Sequence, residues 1–411
     1  MKLMQLEERA KRAKAVREER DLLHEMFESD NTGITYNTED IAGIFRIASS
    51  RKARDELNKI EKSEDVTFGR AANNQFALTP DEVHWLCGHF KIPPYSALGK
   101  RAFVMNNINL KGGVGKSTSG CMIADGLTKS VDHISKQMRI LIIDLDPQGS
   151  ATKHFLGDFR SAALFQSAIT LMASESTDLD LINELSIVKD TSNKNVHIIP
   201  CTTDDGFLSE QLSEVAEEQG IEVHEMLYER VIKPVEYQYD VIILDAGPHM
   251  DNVLRASIGA SDGLLTPIPP KEFDFDSTLK FFERFPDIFT SLIERGYDIE
   301  RLQFSKVFMN LWKENARSSV SRLYNARAMN ELTEIFGESD LISEHLPEEE
   351  AYQRCADNQH TIFSMAQSTY GKELGDLIPF NRAKAQATKW LNAVWRTISL
   401  AHQKFDSNGG K

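Results

Sequence analysis

A glycine-rich loop between an apolar run and a helical segment constrains this chain more than any other feature. The run Ala102–Met105 predicts a buried strand, residues 109–118 read Asn-Leu-Lys-Gly-Gly-Val-Gly-Lys-Ser-Thr, and Ser117–Leu127 predicts the following helix. Glycines allow backbone N–H groups to converge on an anion, and a helix N-terminus adds about half a positive charge. In such loops the lysine, here Lys116, reaches the β- and γ-phosphates of a nucleotide, and the hydroxyl of Ser117 binds Mg²⁺.

The loop departs from the ordinary phosphate-binding pattern at its start. That pattern has a glycine five positions before Gly115, where this chain has Leu110, and a lysine, Lys111, stands beside it. The loop is therefore of the variant form K-G-G-x-G-K-[S/T]. The residues predicted to contact the nucleotide are Lys111, Gly112, Gly113, Val114, Gly115, Lys116, Ser117 and Thr118.

Two carboxylate motifs at the ends of apolar runs predict the rest of the site. The first, Ile140-Leu-Ile-Ile-Asp144-Leu-Asp146, ends in two acids that flank one position. We expect Asp146 to orient the attacking water and Asp144 to support Mg²⁺ through its waters, unless both acids only cap the loop. The second, Val241-Ile-Ile-Leu-Asp245, has the Walker B form, in which Asp245 holds the Mg²⁺ shell.

Strand and helix signals alternate from Arg101 onward, which predicts a parallel α/β sheet. The strand candidates are Ala102–Asn107, Arg139–Asp144, Val196–Pro200, Asp240–Asp245, Gly263–Pro267 and Gln303–Met309. The stretch Ala383–Phe405 predicts a helix whose Trp390 and Trp395 belong to the core. We therefore expect a doubly wound, mostly parallel sheet of the phosphate-loop NTPase type.

Length and composition argue against a membrane-spanning, a secreted or a uniformly basic DNA-binding protein. The 411 residues are too many for one average domain, and the 41% apolar content provides a sizeable core. No run approaches the roughly 18 apolar residues of a membrane span. Four scattered cysteines without metal-binding spacing, and a charged N-terminus without a secretory apolar region, predict a cytoplasmic protein. The net charge of −15 argues against a uniformly basic DNA-binding surface but not against a local basic patch.

Residues 3–28 predict an amphipathic helix with a narrow apolar seam. The residues of that seam are Leu6, Ala10, Ala13, Val16, Leu23 and Phe27. The helix either lies on its own domain or forms a dimer contact, because the apolar stripe is thin and its flanks are charged.

Residues 37–90 predict a small helical unit with a candidate DNA-binding helix. Thr38 is the candidate N-cap of a helix Glu39–Phe45, and a short polar break precedes a second helix over 51–59. Two short helices joined by a tight turn, the second one basic, form the helix-turn-helix pattern, although many such pairs are ordinary solvated helices. The residues expected to face a major groove are Ser49, Ser50, Arg51, Lys52 and Arg54, and those expected to be buried are Ala53, Leu57 and Ile60.

A candidate wing and a third helix complete this unit. The segment Val66–Leu78, with Gly69 and Asn73-Asn74 as turn residues, predicts a β-hairpin, and Thr79 begins another capped helix. The double proline in Lys91–Ser96 predicts a linker.

The three site motifs together resemble the ParA partition ATPases, which segregate plasmids and chromosomes. They are K-G-G-V-G-K-S-T at 111–118, D-L-D-P-Q-G-S-A-T at 144–152 and V-I-I-L-D-A-G-P at 241–248. The resemblance covers at least residues 101–280. Its departures are small: Ser117 replaces the usual threonine with an equivalent hydroxyl, Ser150 stands where asparagine is common, and Ala-Gly-Pro replaces Thr-Pro-Pro after Asp245.

Two further stretches, Leu264–Pro270 and Asp274–Thr278, resemble the larger plasmid ParA proteins, which carry an N-terminal helix and a winged helix-turn-helix. The resemblance implies a dimerisation helix in residues 1–36, a winged helix-turn-helix DNA-binding domain in 37–96 and a deviant Walker ATPase domain in 97–411.

The resemblance also implies how the site works. Two subunits of a homodimer sandwich two ATP molecules with Mg²⁺, and Lys111 reaches across to the partner's phosphates, so that it joins Lys116 and Asp146 in catalysis. The loops after Asp144 and Asp245 act as switches. Hydrolysis is slow alone and is stimulated by DNA and a ParB-type centromere-binding protein. Asn310, at the end of a strand, is expected to contact the adenine base.

Two kinds of DNA binding follow from the same resemblance: a specific operator bound by the N-terminal domain, with repression of the protein's own operon, and nonspecific DNA bound late in the chain through phosphate contacts. The candidates for the second are Arg317, Arg322, Arg327, Arg354, Lys372, Arg382 and Lys384, with Arg354 at the position of a DNA-contacting arginine in plasmid relatives. Each of them could equally lie on a solvated helix face.

Two alternatives stay open at this point. A membrane-cycling ATPase of the MinD type needs a basic amphipathic C-terminal helix, which residues 405–411 do not resemble. A repressor that uses nucleotide only as an allosteric ligand would bind its operator without acting as a motor.

Overall fold

The computed structural model describes residues 7–13, 15–16, 33–157, 167–175, 177–203, 205–313 and 319–408. Residues 7–13 and 15–16 are helical, and all of their side chains are exposed. Ala10, Ala13 and Val16 of the predicted seam are among them, so this part of the helix does not lie on its own domain. Leu6, Leu23, Phe27 and Arg317 lie outside the described residues.

A mostly parallel sheet forms the centre of the fold, as the sequence predicts. Within the described residues its strands are β1 (Phe103–Asn107), β2 (Ile140–Asp144), β3 (Lys189–Asp190), β4 (Val196–Ile199), β5 (Val241–Asp245), β6 (Gly263–Ile268), β7 (Phe304–Met309) and β8 (Leu341–Ile342). Their spatial order is β3-β4-β2-β5-β1-β6-β7-β8, and only β3 runs antiparallel to its neighbour. All six predicted strands form, with ends within one residue of the predicted ones. The two-residue edge strands β3 and β8 were not predicted, because so few residues carry no pattern.

The α-helices of the described residues from 33 onward are, in chain order, α1 (Thr38–Ile44), α2 (Ser50–Glu64), α3 (Pro80–His89), α4 (Lys116–Lys129), α5 (Ser150–Leu156), α6 (Ala168–Ala173), α7 (Leu179–Glu184), α8 (Asp205–Gln219), α9 (Val223–Leu227), α10 (Asn252–Ala260), α11 (Glu272–Glu283), α12 (Phe285–Glu294), α13 (Ser319–Asp340), α14 (Glu350–Asp357), α15 (Gln367–Thr369) and α16 (Leu377–Asn408). Helix α13 is interrupted at Gly337, which has φ 67° and ψ 175°. Helix α16 is longer at both ends than the predicted helix.

Both faces of the sheet are covered by apolar clusters, as a doubly wound fold requires. Phe103 and Met105 of β1 belong to one cluster, together with residues of α4 and α16, and Val104 belongs to the cluster on the other face. Trp390 is fully buried against Phe308, with ring centroids 5.1 Å apart. The central strands are thus buried on both sides, which leaves their carboxyl ends as the place where polar side chains converge.

The N-terminal unit consists of α1, α2, a hairpin and α3. The predicted N-cap of α1 was wrong: Asn37 caps the helix by accepting hydrogen bonds from the backbone of Glu39 and Asp40, and Thr38 is its first helical residue. A β-bridge pairs Arg70 with Phe76 across the turn of the hairpin. Thr79 caps α3 as predicted, through a capping box with Glu82.

This unit is docked against the nucleotide-loop domain. The hydroxyl of Tyr36 donates to the backbone oxygen of Lys129 at the end of α4 (2.6 Å), and Ile134 lies in the apolar cluster of the N-terminal unit. The predicted linker Lys91–Ser96 is also in contact with the larger domain: the side chain of Gln137 donates to Ile92, and Tyr95 packs on Trp395. It is therefore not a free tether. Among the described residues, no helix is long and apolar enough to cross a bilayer.

Candidate functional site

The three predicted motifs meet at the carboxyl edge of the sheet. Asp144 at the end of β2 is in register with Asp245 at the end of β5, and Asp245 is in register with Asn107 at the end of β1. The glycine loop leaves β1 at this point and enters α4. Because parallel strands end at the same edge, motifs far apart in sequence become neighbours in space.

The backbone of the loop adopts conformations that glycine reaches more easily than other residues. Gly113 and Gly115 have φ values of 76° and 90°, in the left-handed region that a side chain disfavours. A Cβ atom on Gly115 would lie 2.3 Å from Nδ2 of Asn310, and that same amide donates to the backbone oxygen of Val114 at 2.7 Å. Asn310 therefore holds the loop from the end of β7. Its expected contact with adenine stays a prediction.

Lys116 is nearly buried at the start of α4. Its Nζ donates to the backbone oxygen of Lys111 at 3.2 Å, and the side chain of Asn107 donates to the backbone oxygen of Lys116. Burial lowers the pKa of Lys116, while the carboxylates of Asp245 and Asp146 oppose that shift. An ammonium held at a helix N-terminus is a preorganised site for a phosphate group, and the two acids beside it suit a cation that accompanies the phosphate.

Asp245 is a buried carboxylate without a partner. Neither of its oxygens has a hydrogen bond within the described residues, although only 2% of the residue is exposed. Burial raises its pKa to about 6, and the nearby Ser117 hydroxyl and Lys116 ammonium act in the opposite direction. A buried carboxylate without a hydrogen bond is costly unless cations compensate for its charge, which the Lys116 ammonium does only in part. Asp245 with the Ser117 hydroxyl fits a Mg²⁺ shell completed by phosphate and water oxygens.

No cluster of three or more His, Cys, Asp or Glu residues that could cage a metal occurs in the described ranges. A single carboxylate with a neighbouring hydroxyl, as at Asp245 and Ser117, suits Mg²⁺ that arrives with a phosphate, since this ion keeps several waters.

Asp144 and Asp146 shape the loop that follows β2. Asp144 is fully buried; it accepts from the backbone of Asp146 at 3.1 Å and from the backbone and hydroxyl of Thr152 at 2.8 and 2.7 Å. Burial and the neighbouring Asp245 raise its pKa above the ordinary range. These bonds make Asp144 a cap of its own loop in this structure, and its predicted link to Mg²⁺ stays a prediction.

The side chain of Asp146 faces the loop after β5. It accepts from the backbone of Gln148 at 2.9 Å, and its carboxyl carbon is 3.5 Å from the position that a Cβ on Gly247 would occupy. The backbone N–H of Leu145 also donates to the backbone oxygen of Asp245 at 3.0 Å, so the two loops predicted to be switches lie side by side. Asp146 borders the same concave edge as Lys116, where a group that orients water would have to lie.

Lys111 is held within its own chain. Its Nζ lies 3.4 Å from Oδ1 of Asp274, in the first turn of α11. Its backbone N–H donates to Asn109, whose amide in turn donates to Pro267 and to the hydroxyl of Thr278, each at 3.0 Å.

Sequence reasoning missed the roles of Asn107, Asn109, Asp274 and Thr278. Asp274 and Thr278 are one helical turn apart directly after a strand, which is the signal that could have paired them with the loop.

The N-terminal residues predicted to bind DNA differ in exposure and in hydrogen bonding. Arg51, Lys52 and Arg54 are exposed on α2, whereas Ala53, Leu57 and Ile60 are buried as predicted. Ser49 caps α2 through the backbone of Lys52, and the hydroxyl of Ser50 lies 2.7 Å from that of Thr38. Ser50 is half-buried beside Thr38, and its expected contact with a groove stays a prediction.

Three of the late arginines are engaged in ion pairs, among them Arg327, which pairs with Glu331 at 2.7 Å. Arg354 pairs with Glu350 at 2.8 Å and also donates to the backbone of Leu374. Arg382 makes a two-bond pair with Glu349, at 2.8 and 2.9 Å. A phosphate contact by any of these side chains would first have to replace its carboxylate.

Comparisons with known proteins agree with this geometry. A family model described as an AAA domain matches residues 103–294. Plasmid partition protein A of Escherichia coli is 28% identical over 329 residues, which are 79% of this chain and 79% of that protein. A solved structure described as a partition protein is 26% identical, covers 97% of each chain and has a TM-score of 0.71. A Cyanothece McdA–ATP complex, at 20% identity, covers 72% of this chain and 98% of its own with a TM-score of 0.54, which indicates a shared fold.

Proposed function

We propose that this chain, which is similar to ParA-type partition ATPases over most of its length, segregates DNA as a nucleotide-switched dimer in the cytoplasm. In this proposal ATP and Mg²⁺ bind at the loop 111–118, and hydrolysis there resets the protein. The observation that carries the proposal is the unpartnered, buried carboxylate of Asp245 beside Lys116 and Ser117. A cleft that binds an uncharged ligand would not require a buried carboxylate beside a buried ammonium.

Each residue of the loop has a distinct task in the proposed reaction. The backbone N–H groups of Gly113 to Ser117 surround the phosphates, and Lys116 neutralises the β- and γ-phosphate charge. Ser117 and Asp245 would hold Mg²⁺, which lowers the cost of the charge that develops on the phosphate oxygens. Asp146 accepts a hydrogen bond from the attacking water and so aligns it. The ATP in the McdA complex, a protein of the same fold, supports this choice of nucleotide.

Dimerisation depends on Lys111 in this proposal. An ammonium supplied from the opposite subunit favours association only while a highly charged triphosphate is bound. The switch loops after Asp144 and Asp245 would be ordered by the γ-phosphate and released when it leaves. Their adjacency, with the Asp146 side chain beside Gly247, supports a concerted response.

DNA binding enters the proposal at two places. The exposed Arg51, Lys52 and Arg54 on α2, followed by the hairpin of residues 66–78, support a winged helix-turn-helix that recognises an operator. We assign autorepression to this unit. Nonspecific DNA binding falls to the basic residues late in the chain, with Lys372 and Arg322 better placed than the ion-paired Arg354 and Arg382, since both are exposed. A ParB-type protein is the proposed stimulator.

The loop variants provide the first test of the proposal. Lys116→Ala should lose ATP binding by at least about 10-fold, because a buried charge-assisted contact to phosphate is removed. Lys111→Ala should bind ATP normally and fail to dimerise. A fluorescent ATP analogue measures the first quantity and sedimentation velocity with ATP and Mg²⁺ measures the second. Normal ATP-dependent dimerisation by Lys111→Ala would contradict the trans role.

A repressor without a motor role is a second candidate, because the N-terminal unit is docked against the C-terminal end of α4, the helix that begins in the nucleotide loop. Asp146→Ala separates the two functions. It should stop hydrolysis and plasmid partition while operator binding persists. Partition that continues in this variant would favour the repressor.

A further inference from the structure

One ion pair outside the predicted motifs involves the lysine on which dimerisation is proposed to depend. Lys111 Nζ lies 3.4 Å from Asp274 Oδ1, and their side chains are 40% and 25% exposed. Asp274 belongs to α11, which follows β6, whereas Lys111 follows β1. The pair therefore spans two elements of one subunit and turns the ammonium toward its own chain.

The backbone of Lys111 is fixed more firmly than its side chain. Asn109 accepts from the N–H of Lys111 at 2.9 Å and is itself anchored to the hydroxyl of Thr278. That hydroxyl donates to the backbone oxygen of Asp274 at 2.9 Å, so α11 supports both the backbone and the ammonium of Lys111. The flexible four-carbon stem of the lysine is then the part free to choose between two anions.

The geometry of this pair permits it to break. A contrasting pair, Arg101 with Asp262, has two hydrogen bonds of 2.8 Å and a carboxylate with no exposed surface. The Lys111–Asp274 pair has one longer contact and partial access to water, which makes it weak. Asp274 also lies in the first turn of a 12-residue helix, where the helix dipole stabilises a carboxylate that has lost its lysine.

We propose that Asp274 is a positioning residue that competes with nucleotide phosphate for the Lys111 ammonium and so raises the threshold for dimerisation. This inference rests on the proposed trans role of Lys111. Without nucleotide the ammonium stays with Asp274, and the dimer lacks its cross-subunit contact. A triphosphate on the opposite subunit draws the ammonium away because it carries more charge than one carboxylate. Removal of the carboxylate therefore strengthens the dimer.

The test compares Asp274→Asn with the wild type in the full chain, with Mg²⁺ and a slowly hydrolysed ATP analogue. Release of one weak ion pair should change the dimer dissociation constant roughly two- to five-fold. A symmetric dimer contains two such pairs, so it should dissociate at about 4- to 25-fold lower protein concentration. Sedimentation equilibrium measures this constant. Release of a fluorescent ATP analogue should be slower, whereas the affinity of the monomer for ATP should not change.

A matched control removes an equal charge from the same helix. Asp276 forms an exposed pair with Lys280 at 2.7 Å, so Asp276→Asn should dimerise like the wild type. Asp274→Glu retains a carboxylate and should also behave like the wild type. Thermal unfolding of all variants checks that α11 is intact. Dimerisation of Asp274→Asn no tighter than that of Asp276→Asn would overturn the inference.

Lys111→Ala, measured in parallel, distinguishes the trans role of Lys111 from the competing role of Asp274. If Lys111→Ala dimerises like the wild type, the trans role fails and the inference fails with it. If Lys111→Ala stays monomeric while Asp274→Asn matches the wild type, only the role of Asp274 is lost.

Discussion

At the scale of single residues, the phosphate loop depends on one glycine and one asparagine in contact. Gly115 has φ 90°, and Nδ2 of Asn310 occupies the space where a Cβ would lie. The same amide satisfies the backbone oxygen of Val114. A side chain at position 115 would thus disfavour the local backbone conformation. It would also displace the Asn310 amide that supports the loop.

Gly115→Ala should therefore impair both the loop and the fold. Left-handed strain and the 2.3 Å contact should lower the free energy of unfolding by about 2 kcal/mol, and ATP affinity should fall at least about 10-fold. Urea unfolding and nucleotide titration measure the two effects. Gly112→Ala is the control: among the described residues beyond its chain neighbours, no atom lies within 4 Å of the place that a Cβ on Gly112 would take, so its stability should change by less than about 0.5 kcal/mol. Equal losses in both variants would contradict the explanation.

At the scale of elements, α2 combines a buried face with a basic exposed one. Ala53, Leu57 and Ile60 hold the helix on the N-terminal unit, while Arg51, Lys52 and Arg54 lie in its first turns. A basic residue near a helix N-terminus gains nothing from the helix dipole, so these charges contribute little to the stability of α2. Their presence is better explained by an anionic partner.

Replacement of Arg51, Lys52 and Arg54 by glutamine should weaken operator binding without affecting ATP binding. Each lost phosphate contact should reduce the slope of log K against log salt by about 0.9. A salt series of operator binding measures that slope. The control changes Lys59 and Lys62 to glutamine at the other end of α2, where Lys59 is paired with Glu56. Similar losses in both variants would mean that α2 attracts DNA only through its net charge.

At the scale of the whole molecule, α4 connects the nucleotide site with the N-terminal unit. It begins at Lys116 in the phosphate loop and ends at Lys129, whose backbone oxygen accepts from the buried hydroxyl of Tyr36. A displacement of α4 by nucleotide would therefore reach the unit that carries α2. We expect ADP or ATP to strengthen operator binding through this contact.

Tyr36→Phe should weaken that coupling. The variant loses one hydrogen bond, worth about 1 kcal/mol, and the increase in operator affinity caused by nucleotide should become smaller. Operator titrations with and without ADP measure the effect. Tyr297→Phe is the matched control, because the hydroxyl of Tyr297 is buried without a partner in the described structure and lies far along the chain in the nucleotide domain. An undiminished nucleotide effect in Tyr36→Phe would exclude this route.

The sequence by itself determined the six longer strands of the sheet and the motifs that meet at its carboxyl edge. Central parallel strands are buried on both faces, so β1, β2 and β5 read as continuous apolar runs with clear ends. The acids and glycines after those runs are local patterns, and the carboxyl edge of a parallel sheet necessarily brings them together.

Only the tertiary structure decided which charged side chains are engaged. Lys111 with Asp274 and Arg382 with Glu349 join residues that are distant in sequence, and no local pattern foretells such pairs. The docking of Tyr36 on the end of α4 is equally nonlocal. The physical reason is that periodicity reports how a segment meets water, whereas ion pairs and interfaces depend on which other segment the fold brings near.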